Sequence, residues 1–338
     1  MLACLGLPLL PRAGLAAAGP LADGATLLIA GPTGGRLDKA ADELMPALLR
    51  ALPAGAQVRR IRDGGADGVT GANRFGARVV PDGASLLLMP GAGTLAWLVG
   101  DPRAHFDPGR LVTVLAGVAP GVLMSRYPIE ATETARRLRV VAGRPDGPDL
   151  AGLLALDLLG PRPEPTLSFP DPATVEQVIA AHGADATFVT GPDAAPRVAR
   201  LTRAGLAPVF TLGVPGADGA VLRDPLLPDV PSLPELATRL RGTMPAGPLY
   251  AAWRAVAVAA QTTFVLVLPA LTPAALVSLW REAAAHAAPR IAGLDDSRAR
   301  LLVYPEANLF TAPVAAADSA TLIALRQWLA TRLGWQPA

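Results

Sequence analysis

The sequence predicts an α/β fold of two lobes with a ligand cleft between them. Three observations carry this expectation. Short apolar runs of strand type alternate with amphipathic helical stretches. Glycine-rich loops stand at the carboxyl ends of several of those runs. The alternation occurs twice, with a long apolar segment at 112–124 between the two units.

In chain order, 25–30 (ATLLIA) reads as a strand, followed by the loop GPTGG and a helix over 37–52 whose apolar residues Leu37, Ala41, Leu44, Ala47 and Leu48 recur at helical spacing. A second strand is expected at 57–61, a turn and helix at 64–79, and a third strand at 85–89 (SLLLM). The loop PGAGT leads from it into 95–99. The segment 112–124 is one or two apolar strands. The second unit gives strands at 138–142, 166–169, 186–189 and 208–212, alternating with helices at 150–159, 172–181 and 194–204. Beyond it, helices are expected at 248–260, 273–287 and 316–333. A buried strand is expected at 262–268 (TTFVLVL), where Gln261, Thr262 and Thr263 interrupt the most apolar stretch and keep it too short to span a membrane.

Hydrophobic residues at 51% and charged residues at 17% of 338 exclude a disordered chain. Thirty Lys and Arg against 28 Asp and Glu leave a net charge of +2, and no basic stripe is interleaved with aromatics, so nucleic acid is not an expected partner. Cys4 is the single cysteine, which rules out an internal disulfide and a cysteine zinc site; His105, His182 and His286 lack ligand spacing. No metal and no cofactor are expected. Residues 2–18 form an apolar stretch closing in Ala16-Ala17-Ala18, which reads as a signal peptide over 1–20 whose start is truncated, because the usual basic region is missing. The chain is therefore expected to be exported; the alternative is a cytoplasmic protein with an apolar end.

The candidate ligand contacts are the loops. Gly31, Pro32, Thr33, Gly34 and Gly35 precede a helix start, where free N–H groups and the dipole favour an anion. The loop lacks the Gly-Lys-Ser/Thr ending of a nucleotide-binding P-loop. Gly91, Ala92, Gly93 and Thr94 form a second such loop, and Gly143, Arg144, Asp146 and Gly147 belong to a third. Asp38, on the first turn of its helix, either caps the loop or touches the ligand. Arg144 either faces solvent or forks onto a carboxylate, and Asp146 is close enough in sequence to neutralise it. No nucleophile elbow, HExxH or Cys–His pairing is present, so enzymatic activity is not expected.

The ordered motifs resemble one family, the periplasmic substrate-binding proteins of tripartite tricarboxylate transporters, or Bug proteins, in a divergent form. They are Gly34-Gly35-Arg36-Leu37-Asp38, Gly65-Ala66-Asp67-Gly68-Val69-Thr70-Gly71, Pro81-Asp82-Gly83-Ala84-Ser85-Leu86, Phe106-Asp107-Pro108, Gly183-Ala184-Asp185, and Leu227-Pro228-Asp229-Val230-Pro231-Ser232 running to Glu235. The resemblance implies a type II, Venus-flytrap binding fold, with lobe 1 over 21–118 plus 240–338 and lobe 2 over 119–239. It implies capture of a small organic anion, a carboxylate or an amino acid, for a membrane permease, by a monomer. It adds Asp185 to the second-lobe contacts. The chain departs from the family pattern at Arg62, at the 142–147 loop, at 169–172 and after Glu235. These departures keep two alternatives open: a binding protein repurposed as a sensor or partner subunit, and a cytoplasmic α/β enzyme acting on an anionic substrate.

Overall fold

A computed structural model describes residues 21, 24–129, 137–167, 171–216, 218–291 and 300–337. The expected signal segment over 1–20, Cys4 and the departure at Phe169-Pro170 lie outside the described residues.

The first unit runs β1 (Ala25–Ile29), α1 (Arg36–Ala51), β2 (Val58–Arg62), α2 (Val69–Arg78), β3 (Ser85–Met89) and α3 (Gly91–Val99). β1 lies between β2 and β3 and is parallel to both, which requires crossover helices between them. β1 is apolar apart from the half-buried Thr26, as suits a strand covered on both faces. α1 buries Leu37, Ala41, Leu44 and Leu48 along one stripe, as the helical spacing predicts.

The apolar segment after α3 is two strands, β4 (Leu111–Val118) and β5 (Gly121–Ser125), which belong to different sheets. The chain changes lobe at Ala119 and Pro120. The second unit then runs β6 (Arg137–Val141), α4 (Leu150–Leu159), β7 (Arg162–Thr166), α5 (Pro172–Ala180), β8 (Ala186–Thr190), α6 (Ala194–Arg203) and β9 (Ala207–Thr211). After a two-stranded ribbon, β10 (Val214–Pro215) with β11 (Val221–Leu222), come α7 (Leu233–Arg241), α8 (Pro248–Gln261), β12 (Thr262–Pro269), α9 (Ala274–Ile291), β13 (Arg300–Val303), α10 (Glu306–Ala315) and α11 (Ser319–Leu333).

The six-stranded sheet has the order β13-β4-β12-β3-β1-β2, and the five-stranded sheet the order β7-β6-β8-β5-β9. β12 enters the first sheet antiparallel between β3 and β4, with Thr262 opposite Val118. The start of β12 and the end of β4 therefore meet where the lobes join, and the Ala119 N–H donates to the Gln261 carbonyl at 2.9 Å.

α8 is the element common to both lobes. It buries Ala252, Trp253, Ala255 and Val256 completely and packs against α3, α10 and α11 on one side and α4 on the other. One apolar cluster runs through it, from Leu28, Leu87 and Val265 of the first sheet to Leu123, Val140 and Phe188 of the second.

Three local expectations need correction. Near the strand expected at 166–169, whose last two residues lie outside the described ones, the described strand is β7 over Arg162–Thr166. β7 holds Pro163 and Pro165 because it is an edge strand, where a missing N–H on the open side deprives no neighbour of a hydrogen bond. The residues 91–94 are the first turn of α3 rather than a loop, and the helix starts at Gly91. α7, α10 and β13 were not anticipated. α7 opens on a capping box between Ser232 and Glu235, inside the stretch read only as a Pro-rich motif.

Candidate functional site

Every segment that lines the main cavity lies at the carboxyl end of a strand or at the lobe junction. Gly31 and Pro32 follow β1, Pro90 and Gly91 follow β3, and Thr190 and Gly191 close β8. Ala119 lies between β4 and β5, and residues 259–263 pass from α8 into β12. This is where open α/β sheets place ligands. The cavity has a volume of about 470 Å³ and is walled by both lobes.

Its first-lobe wall is built from helix starts. The N-cap of α1 is Gly35 and that of α3 is Pro90, and neither helix has a side-chain cap. The first turns of two helices, at Arg36 and Leu37 of α1 and at Gly91 and Ala92 of α3, thus line the cavity without a side-chain cap, a setting that favours negative charge. Arg36, on the first turn of α1, is the only charged residue in the lining and has no ion pair among the described residues. The floor is polar but uncharged. Thr262 Oγ1 donates to the Val258 carbonyl at 2.7 Å and Thr263 Oγ1 to the Gly117 carbonyl at 2.8 Å. Gln261 is 3% exposed and its Oε1 has no hydrogen-bond partner.

Of the residues expected to hold a ligand, Gly31, Pro32, Gly35, Gly91 and Ala92 line this cavity. Gly143 lines an adjoining second-lobe cavity of about 150 Å³. The others are placed elsewhere, for physical reasons. Asp38 is buried behind the loop, where its Oδ2 accepts from the Gly34 N–H at 2.9 Å and its Oδ1 from Arg62 Nε at 2.7 Å. Gly34 sits at φ +72° with open space outside it, and its N–H turns inward to Asp38 rather than to the cavity. Asp38 is a loop cap, and Arg62, a departure from the family pattern, is its counter-ion. Thr33 is exposed, and Gly93 is packed against the Asp67 carbonyl and Met89. Thr94 faces a separate crevice of about 50 Å³ between α3 and α10.

In the second lobe, Arg144 is largely exposed and bonded to Asp146 at 2.8 and 2.6 Å, so its charge is already matched. The Gly147 N–H closes the same turn onto the Arg144 carbonyl at 3.0 Å. Asp185 precedes β8, at the end away from Thr190, roughly 16 Å along the strand at about 3.3 Å per residue. There it accepts from Arg139 Nε at 2.9 Å and Nη2 at 2.7 Å. It is a buried structural carboxylate.

Asp149 went unnoticed in the sequence and does for the 142–147 loop what Asp38 does for the first. Its Oδ2 accepts from the Gly143 N–H at 2.6 Å. Burial pushes its carboxyl above the usual range, against the pull of that N–H and of Arg197. Thr190 and Gly191 could have been found by the same carboxyl-end rule that picked out the other loops. Gln261-Thr262-Thr263 were visible as the polar interruption of an apolar stretch.

The Gly34 N–H and, behind it, Arg62 hold the Asp38 carboxyl below its usual range, with burial opposing them. A carboxylate so held stabilises the fold above its unfolded pKa, and the contribution is lost as pH falls through the lowered folded value. Asp38→Asn is therefore expected to bring the acid and neutral melting temperatures closer together. Equal acid sensitivity in parent and variant would count against this pairing.

No protein-family model matches the chain, and no curated protein does. Solved structures match over nearly its whole length. A TctC solute binding protein from Polaromonas is 16% identical with a TM-score of 0.64, covering 90% of this chain and 98% of that one. A structure described as a periplasmic transporter is 18% identical, TM-score 0.52, covering 90% and 97%. R. palustris Rpa4515 with adipate is 17% identical, TM-score 0.51, covering 93% and 98%. The two-sheet architecture is the two-lobe fold of periplasmic solute-binding proteins.

Proposed function

We propose that this chain is an exported solute-binding protein of the tripartite tricarboxylate transporter type, a divergent member of that family. It captures a small organic anion between a lobe of residues 21–118 plus 240–338 and a lobe of residues 119–239, as a monomer, and delivers it to a membrane permease without chemical change. The observation that carries this reading is the about 470 Å³ cavity between the lobes. Two helix N-termini without side-chain caps and Arg36 meet there, and no acidic side chain lines it. The fold shared with Rpa4515, whose structure contains adipate, supports the choice of a carboxylate.

In this reading the anion lies against the N–H groups that open α1 and α3, and the carboxyl ends of β6 and β8 close over it. Lobe closure turns on the segments that cross between the sheets, Ala119-Pro120 and the α8–β12 junction. A thermal-shift screen of organic and amino acids should find a compound that raises the melting temperature, by about 2.7 kcal/mol of added stability at a hundredfold excess over Kd. The same compound should reduce the radius of gyration in solution scattering. A screen without any stabilising acid would overturn the function, and stabilisation with an unchanged scattering curve would overturn closure.

A further inference from the structure

The cavity in the second lobe contains a cation without an ion-pair partner. Arg197, on α6, is 7% exposed, although arginine is seldom buried unless paired. Among the described residues it makes no ion pair. Its Nη1 reaches the Thr190 carbonyl only at 3.4 Å, and its Nε is buried without a partner. It faces the about 150 Å³ cavity together with Gly143, Asp149, Asp171 and Thr187. Both acids there have other hydrogen-bond donors: Asp149 accepts the Gly143 N–H and feels the Arg197 charge only from beyond ion-pair distance, and Asp171 accepts the N–H and hydroxyl of Thr174 at 2.9 and 2.6 Å. Pro148 and Thr190 line this cavity and the main cleft alike, so the two spaces adjoin.

We infer that this cavity is a second anion subsite of the cleft, in which the Arg197 guanidinium receives a carboxylate at the far end of the ligand. The inference rests on the proposed binding function and deepens it: a ligand anchored at α1 and α3 would pass Thr190 and place its second carboxylate on Arg197. A guanidinium matches a carboxylate through paired N–H donors, and a site shielded from water strengthens each bond. The side chain that selects a second carboxylate is thus Arg197, not the exposed and already paired Arg144.

The test is calorimetric titration of the parent, Arg197→Gln and Arg197→Lys with matched probes: succinate, glutarate and adipate against butyrate, pentanoate and hexanoate. The parent should bind at least one diacid more tightly than the monoacid of equal length. Arg197→Gln should weaken that diacid about ten- to hundredfold and leave the monoacid within about twofold, and Arg197→Lys should recover part of the loss. Val175→Met, which fills the cavity and keeps the charge, should reproduce the loss and decides the matter if Arg197→Gln does not fold. Unchanged diacid affinity in Arg197→Gln, or in Val175→Met where the former is unfolded, would make Arg197 a structural counter-charge to Asp149. That result would overturn the subsite while leaving the cleft reading intact. A parent that binds the monoacid as tightly as the diacid would also overturn the subsite alone. A parent that binds none of the six would overturn the subsite as stated, and the cleft reading would fall with it only if the wider screen of organic and amino acids also found no stabilising compound.

Discussion

Replacing Gly91 by alanine is expected to leave little folded protein. The added Cβ would stand 2.0 Å from the Ala259 carbonyl oxygen, 2.7 Å from the Thr262 carbonyl oxygen and 2.9 Å from the Thr262 Cβ. Two of these are backbone atoms on either side of the α8–β12 junction, so no rotamer change relieves the contact. Either α3 must move off its sheet or the junction must shift, and both lie within the packed lobe interface. Overpacking a core costs about 1–3 kcal/mol where neighbours yield, and here the loss should reach or exceed that range. Urea unfolding of any soluble Gly91→Ala protein measures it, and a midpoint equal to the parent's would refute the close approach. Gly34→Ala is the contrast. It meets open space, but at φ +72°, so only the backbone preference of roughly 1 kcal/mol should be lost.

Trp253→Ala is expected to destabilise by about 3–5 kcal/mol, the usual range for removing a large aromatic from a core. The side chain is fully buried, stacks on Tyr250 with centroids 5.6 Å apart, and donates its indole N–H to the Ala151 carbonyl at 3.2 Å. That bond runs from α8 to α4, so the residue ties the two lobes together. Trp253→Phe keeps much of the volume and loses the donor, and it should fall between parent and Trp253→Ala in the same denaturation series. If Trp253→Phe lost as much as Trp253→Ala, the hydrogen bond rather than the packing would dominate.

Much of the first lobe was legible because its signals are local. ATLLI has to be a buried strand, and the stripe of Leu37, Ala41, Leu44 and Leu48 has to face a core. What escaped depends on tertiary position. Pro163 and Pro165 are acceptable in β7 only because it is at an edge, and no local signal reveals which strand ends a sheet. The residues 91–94 carry two glycines and read as a loop, yet Gly91 is glycine because α3 starts against the Ala259 carbonyl. The site divides in the same way. Loops at strand ends follow from the strand pattern, which is why Gly31, Gly35, Gly91 and Ala92 were found. Arg144 drew attention as an odd residue in such a loop, and the structure pairs it with Asp146. Arg197 sits in a helix with Arg200 and Arg203, a pattern that reads as a solvated face, and only the placement of α6 buries it.

The apolar cluster that passes through α8 makes neither lobe an autonomous domain. Each sheet leaves part of its apolar face to be covered by a helix that the other lobe also uses, and the chain crosses between them more than once. Losing either lobe would strip the other of its share of α8 and expose residues such as Ala252, Val256 and Trp253 together. The molecule is for this reason expected to unfold as one cooperative unit despite its two sheets, in a single calorimetric transition. If the proposed anion occupies the cleft, the stabilisation it adds would then be distributed to both halves, and protection of the whole chain would follow from occupancy of a site lined by loops and helix starts.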